Sequence, residues 1–215
     1  ANGMTMNERV NGVIAALRAL YPDAVCSLRY QHAYQLLFST RLAAQCTDAR
    51  VNIVAEELYT RFPTLEAFAE CDIRDLEEVV RPCGLFHTKA RDLKACAQAL
   101  LDRFHGEVPD TMDELLTLPG IGRKTANLIL GDVFGKPAVV TDTHCIRLSN
   151  RIGFVNSKDP RKVEQALSKL IPAQEQCLLC HRFVHHGRAV CTARRPQCER
   201  CTLAPYCASA GKVAP

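Results

Sequence analysis

A glycine-containing turn between two helical patterns most limits what this chain can fold into. Residues 118–125 read Leu-Pro-Gly-Ile-Gly-Arg-Lys-Thr, with a short helical pattern before them at 113–116 and an apolar helical pattern after them at 126–133. Because proline and glycine interrupt helices, this segment predicts a tight hairpin between two helices. Gly120 and Gly122 let backbone N–H groups approach a ligand where the second helix begins, and the helix dipole favours an anion there.

Two basic residues follow the glycines. Arg123 and Lys124 fall in the first turn of the second helix, where positive charge opposes the helix dipole. Three interpretations are open: a glycine-capped turn with two solvated cations, a phosphate contact, or, for Lys124, an amine that forms a Schiff base with a carbonyl carbon. Taken alone, Lys124 is more typical of a phosphate contact.

The charge of the chain is divided unevenly. Its 215 residues carry 27 Lys and Arg against 23 Asp and Glu, a formal net charge of +4. Residues 1–117 hold 12 basic and 17 acidic side chains, a net −5, whereas residues 118–215 hold 15 and 6, a net +9. The basic part begins at the predicted hairpin, so we expect it to bind a polyanion, of which nucleic acid is the commonest.

The sequence gives no sign of export or of a membrane. It has no secretory signal and no apolar run of about 18 residues. This predicts one large or two small soluble domains in the cytoplasm. In a reducing compartment the twelve cysteines are expected to bind metal or to remain thiols.

Almost every segment has helical periodicity. Residues 7–20 carry one apolar stripe, residues 32–46 read as a largely apolar buried helix, and residues 88–104 read as a long amphipathic helix. The only candidate for extended structure is 137–140. The pattern predicts an all-α protein with short loops.

An aspartate follows a short apolar run after the hairpin. Residues 139–144 read Val-Val-Thr-Asp-Thr-His. Asp142 is well placed to cap a helix that begins near Thr143, which is the simplest interpretation. Capping is compatible with catalysis, because a carboxylate brought within reach of Lys124 can take or relay the protons of an amine that reacts with a carbonyl.

Four cysteines near the end of the chain have the spacing C-x6-C-x2-C-x5-C. They are Cys191, Cys198, Cys201 and Cys207. Two prolines interrupt this stretch, so it predicts a compact loop around a metal centre rather than a helix. A rival zinc set pairs Cys177 and Cys180 with Cys198 and Cys201. We disfavour it, because residues 176–186 read as helical and the first and last cysteines of the loop stay unused.

With these motifs in this order, the chain resembles the endonuclease III family of helix-hairpin-helix DNA glycosylases over residues 7–207. The resemblance rests on the segment 118–127, on Thr-Asp-Thr-His-Cys-Ile-Arg-Leu-Ser-Asn-Arg at 141–151, on His-Gly-Arg at 186–188 and on the cysteine spacing. It implies that Lys124 is the catalytic lysine, that Asp142 is the catalytic aspartate, and that the four cysteines hold a [4Fe-4S] cluster.

The resemblance also implies a domain arrangement. A six-helix domain with the helix-hairpin-helix motif is expected at 26–136. A second helical domain with the iron–sulfur loop is expected to combine 1–25 with 137–215, and DNA is expected to bind in the cleft between the two domains.

Further residues take DNA-binding roles from the same resemblance. Gln45 matches a glutamine that fills the space left by the extruded nucleotide, and Leu85 matches an apolar wedge on the opposite side. Both roles offset part of the cost of unstacking a base. The remaining candidates are Gly120, Gly122, Arg123, Thr125, His144 and Arg147.

One segment departs from the family pattern. Residues 38–43 read Phe-Ser-Thr-Arg-Leu-Ala where family members have a small and aliphatic run before the glutamine motif. Arg41 introduces a charge, and Ala43 stands where a serine is common. Because the segment helps to line the cleft in the family, we expect an effect on lesion preference.

The function implied is a bifunctional glycosylase and AP lyase of base excision repair. It would act as a monomer on duplex DNA with oxidised pyrimidines or abasic sites, forming a Schiff base through Lys124. One alternative is an adenine-type monofunctional glycosylase, although that group lacks the lysine and needs a glutamate near Thr40. The other is a non-catalytic helix-hairpin-helix DNA-binding module with a structural metal such as zinc.

Overall fold

The structure, a computed structural model, describes residues 3–212 and is all-helical over that range. Its α-helices in chain order are α1 Met6–Leu20, α2 Ala33–Leu42, α3 Asp48–Arg61, α4 Leu65–Glu70, α5 Ile73–Val80, α6 Phe86–Phe104, α7 Met112–Leu116, α8 Arg123–Leu128, α9 Thr143–Ile152, α10 Pro160–Leu170 and α11 Gln176–Ala189. A π-helical turn, Ile129–Val133, continues α8, and short 3-10 turns occupy Arg81–Cys83, Ala173–Glu175, Cys198–Arg200 and Ala204–Tyr206. No helix in the described part of the chain is long and apolar enough to cross a membrane.

The chain divides into two compact units. One runs from Cys26 to Phe134, and the other combines the N-terminal segment up to Val25 with the segment from Gly135 onward. The predicted domain limits and the predicted cleft stay predictions, and positions 1–2 and 213–215 of the predicted second domain lie outside the described residues.

The unit from Cys26 to Phe134 contains α2 to α8 around an apolar core. Phe38 of α2 and Phe68 of α4 are almost fully buried and meet edge to face, with ring centroids 4.9 Å apart. Threonine side chains at Thr47 and Thr64 cap α3 and α4 by accepting first-turn amides. The long α6 packs against α4 and α5 and supplies a buried face.

The other unit contains α1, α9, α10 and α11. Helix α11 packs against α1 and α9, with Phe183 fully buried at its centre. Helix α1 also approaches the turn at Ala204–Tyr206 closely, since a Cβ built on Gly12 would lie 2.3 Å from the Tyr206 ring. A side chain larger than hydrogen at Gly12 would push this turn away from α1.

Three expectations about elements were wrong in detail. The helix expected over 32–46 ends at Leu42, because the chain turns there and Gln45 takes a φ of +55°. The helix expected from residue 88 begins two residues earlier, at Phe86. Residues 137–140 form no strand with any described residue, although Ala138 to Val140 are buried as their apolar character suggests.

Candidate DNA-binding and catalytic site

The predicted hairpin joins α7 to α8. Gly120 has a φ of +76°, in the left-handed region that glycine adopts without steric cost. Gly122 is the N-cap of α8 with extended backbone, and a Cβ built on it would meet no atom within 4 Å. Because glycine has no side chain, no capping side chain accepts the first amides of α8, and this turn has the form of a backbone-mediated anion site.

An ion pair supports the hairpin from inside its unit. Arg41 donates from Nε to Asp92 Oδ2 at 2.8 Å, and the two side chains are only 17% and 15% exposed. A Cβ built on Gly120 would lie 3.0 Å from Asp92 Cβ and Oδ2 and 3.1 Å from Arg41 Cδ. The charge that departs from the family pattern at Arg41 is therefore used to pack the hairpin, and its effect on lesion preference stays a prediction.

The candidate nucleophile lies directly after the glycines. Lys124 is exposed in the first turn of α8, Arg123 is half-buried, and Thr125 is buried at 8% exposure. Thr125 thus anchors the turn to the core while the lysine amine stays accessible. The first turn of α8 is therefore fixed by a buried threonine and can present one reactive side chain, that of Lys124, to a bound polymer.

Asp142 is the N-cap of α9, as predicted. Its Oδ1 accepts the Cys145 amide at 2.7 Å, and its side chain is half-buried. The segment before it is held in place, because the Val140 amide donates to Cys180 Sγ at 3.3 Å. The carboxylate position is therefore fixed by its own cap and by a buried segment behind it.

Gln45 and Leu85 both adopt left-handed backbone, which is unusual for these residue types. Their φ values are +55° and +46°, and this conformation costs a non-glycine residue about 1–2 kcal/mol. Both side chains are exposed, Leu85 at 54%. Left-handed backbone at residues other than glycine is uncommon and is frequent at functional sites, so the geometry suits a plug and a wedge.

His144 and Arg147 lie on α9 where it crosses α11. Arg147 Nη2 lies 3.1 Å from His144 Nδ1 and donates to the carbonyl oxygens of Gly187 and Cys191 at 3.2 and 3.0 Å. A Cβ built on Gly187 would lie 2.6 Å from His144 Nδ1, which explains why glycine stands in the His-Gly-Arg motif. Much of the Arg147 guanidinium is therefore used inside this unit, and a DNA-binding role for it stays a prediction.

The cysteine loop, residues 191–207, folds back on α9 and α11. Arg151 donates to Cys191 Sγ at 3.3 Å, and the Cys207 thiol donates to the Arg151 carbonyl oxygen at 3.4 Å. His186 Nε2 lies 3.2 Å from Cys201 Sγ. A pocket of about 420 Å³ touches all four cysteines of the loop and has Leu148, Ile152, Val190 and Leu203 in its walls.

Comparisons with known proteins fit this geometry. The chain matches the HhH-GPD superfamily of base excision DNA repair proteins over residues 38–173, and the iron–sulfur binding domain of endonuclease III over residues 191–207. It is 46% identical over 204 residues to endonuclease III of Synechocystis sp., covering 94% of this chain and 93% of the relative. The chain belongs to the endonuclease III family.

A further relative and a solved structure support the same family assignment. Endonuclease III of Escherichia coli is 34% identical over 201 residues, covering 94% of this chain and 95% of the relative. A solved structure described as a trapped endonuclease III–DNA covalent intermediate superposes with a TM-score of 0.91 at 37% identity, over 97% of this chain and 99% of that chain. Family membership makes this chain a DNA-binding glycosylase and AP lyase of base excision repair. It also confirms the predicted all-α fold.

A [4Fe-4S] cluster is the cofactor of the family's cysteine loop, and the residues here fit it. Burial raises the pKa of the Cys201 thiol, and the other three cysteines raise it further. Four thiolates this close need a cationic centre to offset their charge. The lining of aliphatic side chains suits a cluster that is sheltered from water.

The positions of the other two cysteines argue against the rival zinc set. Cys177 and Cys180 of the rival set lie on α11, where Cys180 is buried against Val140.

The histidine of the His-Gly-Arg motif lies against a sulfur of the cysteine loop. Burial and the nearby Arg200 lower the pKa of His186 to about 4, so the ring is neutral at neutral pH. Its Nδ1 lies 2.9 Å from the Tyr21 hydroxyl oxygen, and its Nε2 lies 3.2 Å from Cys201 Sγ. The motif therefore supports the loop, a role that sequence reasoning did not assign.

Sequence reasoning also missed Asp92 and Lys89. Asp92 is the partner of Arg41 and packs against Gly120. Lys89 is fully buried although it is charged. One signal was present, because Lys89 falls on the apolar stripe of α6 with Leu93 and Cys96, where a charged residue needs an explanation.

Proposed function

We propose that this chain removes oxidised pyrimidines from duplex DNA and nicks the strand at the resulting abasic site by β-elimination. Its substrates are double-stranded DNA with such lesions or with abasic sites. The observation that carries the proposal is the exposed Lys124 in the first turn of α8, beside the Gly120–Gly122 hairpin. A family member at 37% identity has been solved as a trapped covalent intermediate with DNA, which supports an amine nucleophile at this position.

The reaction begins when the neutral amine of Lys124 attacks C1′ of the extruded nucleotide. The glycosidic bond breaks, and the base leaves with the bonding electrons and takes up a proton. The C1′–O4′ bond of the sugar ring then opens, O4′ takes up a proton, and the amine becomes an iminium ion, with Asp142 accepting and returning the protons. Loss of a C2′ proton then expels the 3′-phosphate, which cuts the strand and leaves the sugar on the lysine until water releases it.

DNA is held by contacts that surround this lysine. Backbone N–H groups after Gly120 and Gly122 approach a phosphate, with Arg123 and Thr125 beside them. Gln45 fills the vacated space in the duplex and Leu85 enters from the opposite side. His144 and Arg147 contribute near the backbone or the lesion, which the half-buried position of both side chains on α9 supports.

The remaining assignments belong to the same proposal. Cys191, Cys198, Cys201 and Cys207 bind the cluster, which ties four points of the loop together when bound and so has a structural role. The domains are 26–136 and 1–25 with 137–215, and the two compact units of the described chain support this division. We further propose a cytoplasmic monomer that associates with the nucleoid through DNA.

Borohydride trapping on a duplex with one oxidised pyrimidine tests the proposal. The wild type should form a covalent adduct, and Lys124→Ala should form none while keeping much of its affinity. Arg123→Ala is the matched control from the same turn. It should still form the adduct, and its binding should weaken with a salt slope lower by about one.

Absence of an adduct with the wild type, on that duplex and on one with an abasic site, would refute imine chemistry. An adduct that persists in Lys124→Ala would instead refute the assignment of this residue.

A further inference from the structure

Lys89 of α6 is a charged residue with no exposed surface. Its Nζ donates to the carbonyl oxygens of Leu42, Ala44 and Cys83, each at 2.8 Å. An ammonium group has three N–H donors, so all of its hydrogen-bonding capacity is used by backbone carbonyls.

Two of the three carbonyls belong to separate loops, and the third, that of Leu42, belongs to the last residue of α2. The plug loop, residues 43–46, follows α2 and contains Gln45, and the wedge loop, residues 83–85, precedes α6 and contains Leu85. Because the oxygens of Ala44 and Cys83 each lie 2.8 Å from one nitrogen, they are at most 5.6 Å apart. A single side chain thus joins backbone atoms one residue before Gln45 and two residues before Leu85.

Both loops contain a residue in a conformation that it does not favour. The φ values of Gln45 and Leu85 are +55° and +46°. Such residues persist where surrounding contacts determine the backbone, and they are frequent at functional sites. The wedge loop has local support as well, since the Arg81 guanidinium lies 4.4 Å from the Phe86 ring centroid and the Gly84 amide donates to the Arg81 carbonyl oxygen at 3.0 Å. The thiols of Cys46 and Cys83 also interact across the two loops, and Lys89 adds hydrogen bonds to the backbone of both.

We propose that Lys89 is a positioning residue that holds the plug loop and the wedge loop in the arrangement that opens the duplex. This inference rests on the DNA-binding roles proposed above for Gln45 and Leu85. Without the three hydrogen bonds, the two loops lose a common backbone anchor, and the left-handed conformations of Gln45 and Leu85 are less well held. The protein then binds undamaged DNA as before but holds an extruded nucleotide less well.

A second lysine of the same helix provides a matched control. Lys94 is half-buried, and its Nζ donates to the carbonyl oxygen of Cys71 at 2.5 Å, in the connection between α4 and α5. It also ties α6 to a loop backbone, but that loop has no proposed DNA contact. Lys94→Met therefore measures how much the loss of any hydrogen bond from a lysine of α6 to a loop carbonyl changes DNA binding.

The experiment compares affinity for two duplexes with the cluster-containing protein at one salt concentration. One duplex contains a tetrahydrofuran abasic analogue, which the enzyme cannot process, and the other is undamaged. The ratio of the two dissociation constants measures the preference for an opened duplex. Lys89→Met should reduce this ratio by about tenfold, with little change for undamaged DNA. Lys89→Gln keeps an NH2 donor and should fall between Lys89→Met and the wild type, whereas Lys94→Met should keep the ratio.

Combination with Leu85→Ala separates positioning from general stability. If Lys89 acts through the wedge, Leu85→Ala should reduce the ratio of dissociation constants in the wild type and in Lys94→Met. In Lys89→Met, the same substitution should reduce the ratio further by less than about twofold. If Lys89→Met does not fold, Lys89→Gln takes its place in the same comparison.

Three results would overturn the proposal. They are an unchanged ratio in a folded Lys89 variant, a full effect of Leu85→Ala in that variant, or no effect of Leu85→Ala in the wild type. Failure of the proposed catalytic function would appear separately, as missing borohydride adducts with the wild type, because the binding ratio requires no chemistry.

Discussion

Replacing Gly120 with alanine should destabilise the protein through two effects that can be assigned from the structure. The φ of +76° costs alanine about 1–2 kcal/mol more than glycine. The new Cβ would also lie 3.0 Å from Asp92 Cβ and Oδ2 and 3.1 Å from Arg41 Cδ, and overpacking of this kind costs about 1–3 kcal/mol. The free energy of unfolding should therefore fall by about 2–5 kcal/mol, which lowers the Tm of a chain of this size by about 5–15 °C.

Gly122→Ala is the control from the same hairpin. Its backbone is extended, and a Cβ there would meet no atom within 4 Å. The small loss at an N-cap is offset by the lower entropy of the unfolded chain, so the Tm should stay within about 2 °C of the wild type. The methyl group would nevertheless occupy the space through which a phosphate approaches the backbone, so DNA affinity should fall for damaged and undamaged duplexes alike.

Thermal unfolding by circular dichroism and binding by fluorescence anisotropy at fixed salt measure the two effects. Equal melting temperatures for the two variants would refute the steric argument at Gly120. Wild-type affinity in Gly122→Ala would refute the approach of a phosphate to this part of the backbone, whatever the melting curves show.

Three further changes test other parts of the site. Gly187→Ala should lower the free energy of unfolding by about 3 kcal/mol in chemical denaturation, because its Cβ would lie 2.6 Å from His144 Nδ1; a neutral result would contradict the close packing of α9 and α11. Cys191→Ser should lose the brown colour and the bound iron, whereas Cys177→Ser should keep both; metal kept in Cys191→Ser and lost in Cys177→Ser would favour the rival ligand set. Arg41→Met should lower the free energy of unfolding by about 1–3 kcal/mol in urea, because the half-buried Asp92 carboxylate loses its hydrogen-bonded partner and keeps the more distant Arg91 at 3.7 Å. An unchanged midpoint would show that the Arg41–Asp92 pair adds nothing to stability.

Features that depend on neighbouring residues could be predicted from the sequence. The side chains of Thr47, Thr64 and Asp72 each accept an amide of the helix that follows them, as expected for N-caps. Asp142 does the same for α9. These interactions join residues two or three positions apart, so the residue type and its place before an apolar pattern are sufficient to predict them.

Helix limits that depend on distant residues could not be predicted. Apolar residues continue beyond Leu42, so periodicity favoured a longer α2. The carbonyl oxygens of Leu42 and Ala44 are instead bound by Lys89, 47 and 45 residues further along the chain. The same lysine binds the carbonyl of Cys83 just before α6, so one buried side chain determines the loops at two helix ends.

Gly187 allows close packing between α11, which leads into the cysteine loop, and α9, which Asp142 caps. Glycine inside a helix costs about 1 kcal/mol relative to alanine, so its presence in α11 needs a reason. Without a Cβ there, α9 approaches closely enough for Arg147 and Arg151 to donate to the carbonyl oxygens of Cys191 and of residue 192 at 3.0 and 2.8 Å. Because Asp142 caps the first turn of α9 and these two arginines lie in its middle and last turns, the position of the carboxylate depends on a loop that the cluster closes. The structural role proposed for the cluster therefore extends to the catalytic role proposed for Asp142, through the helix that Asp142 caps.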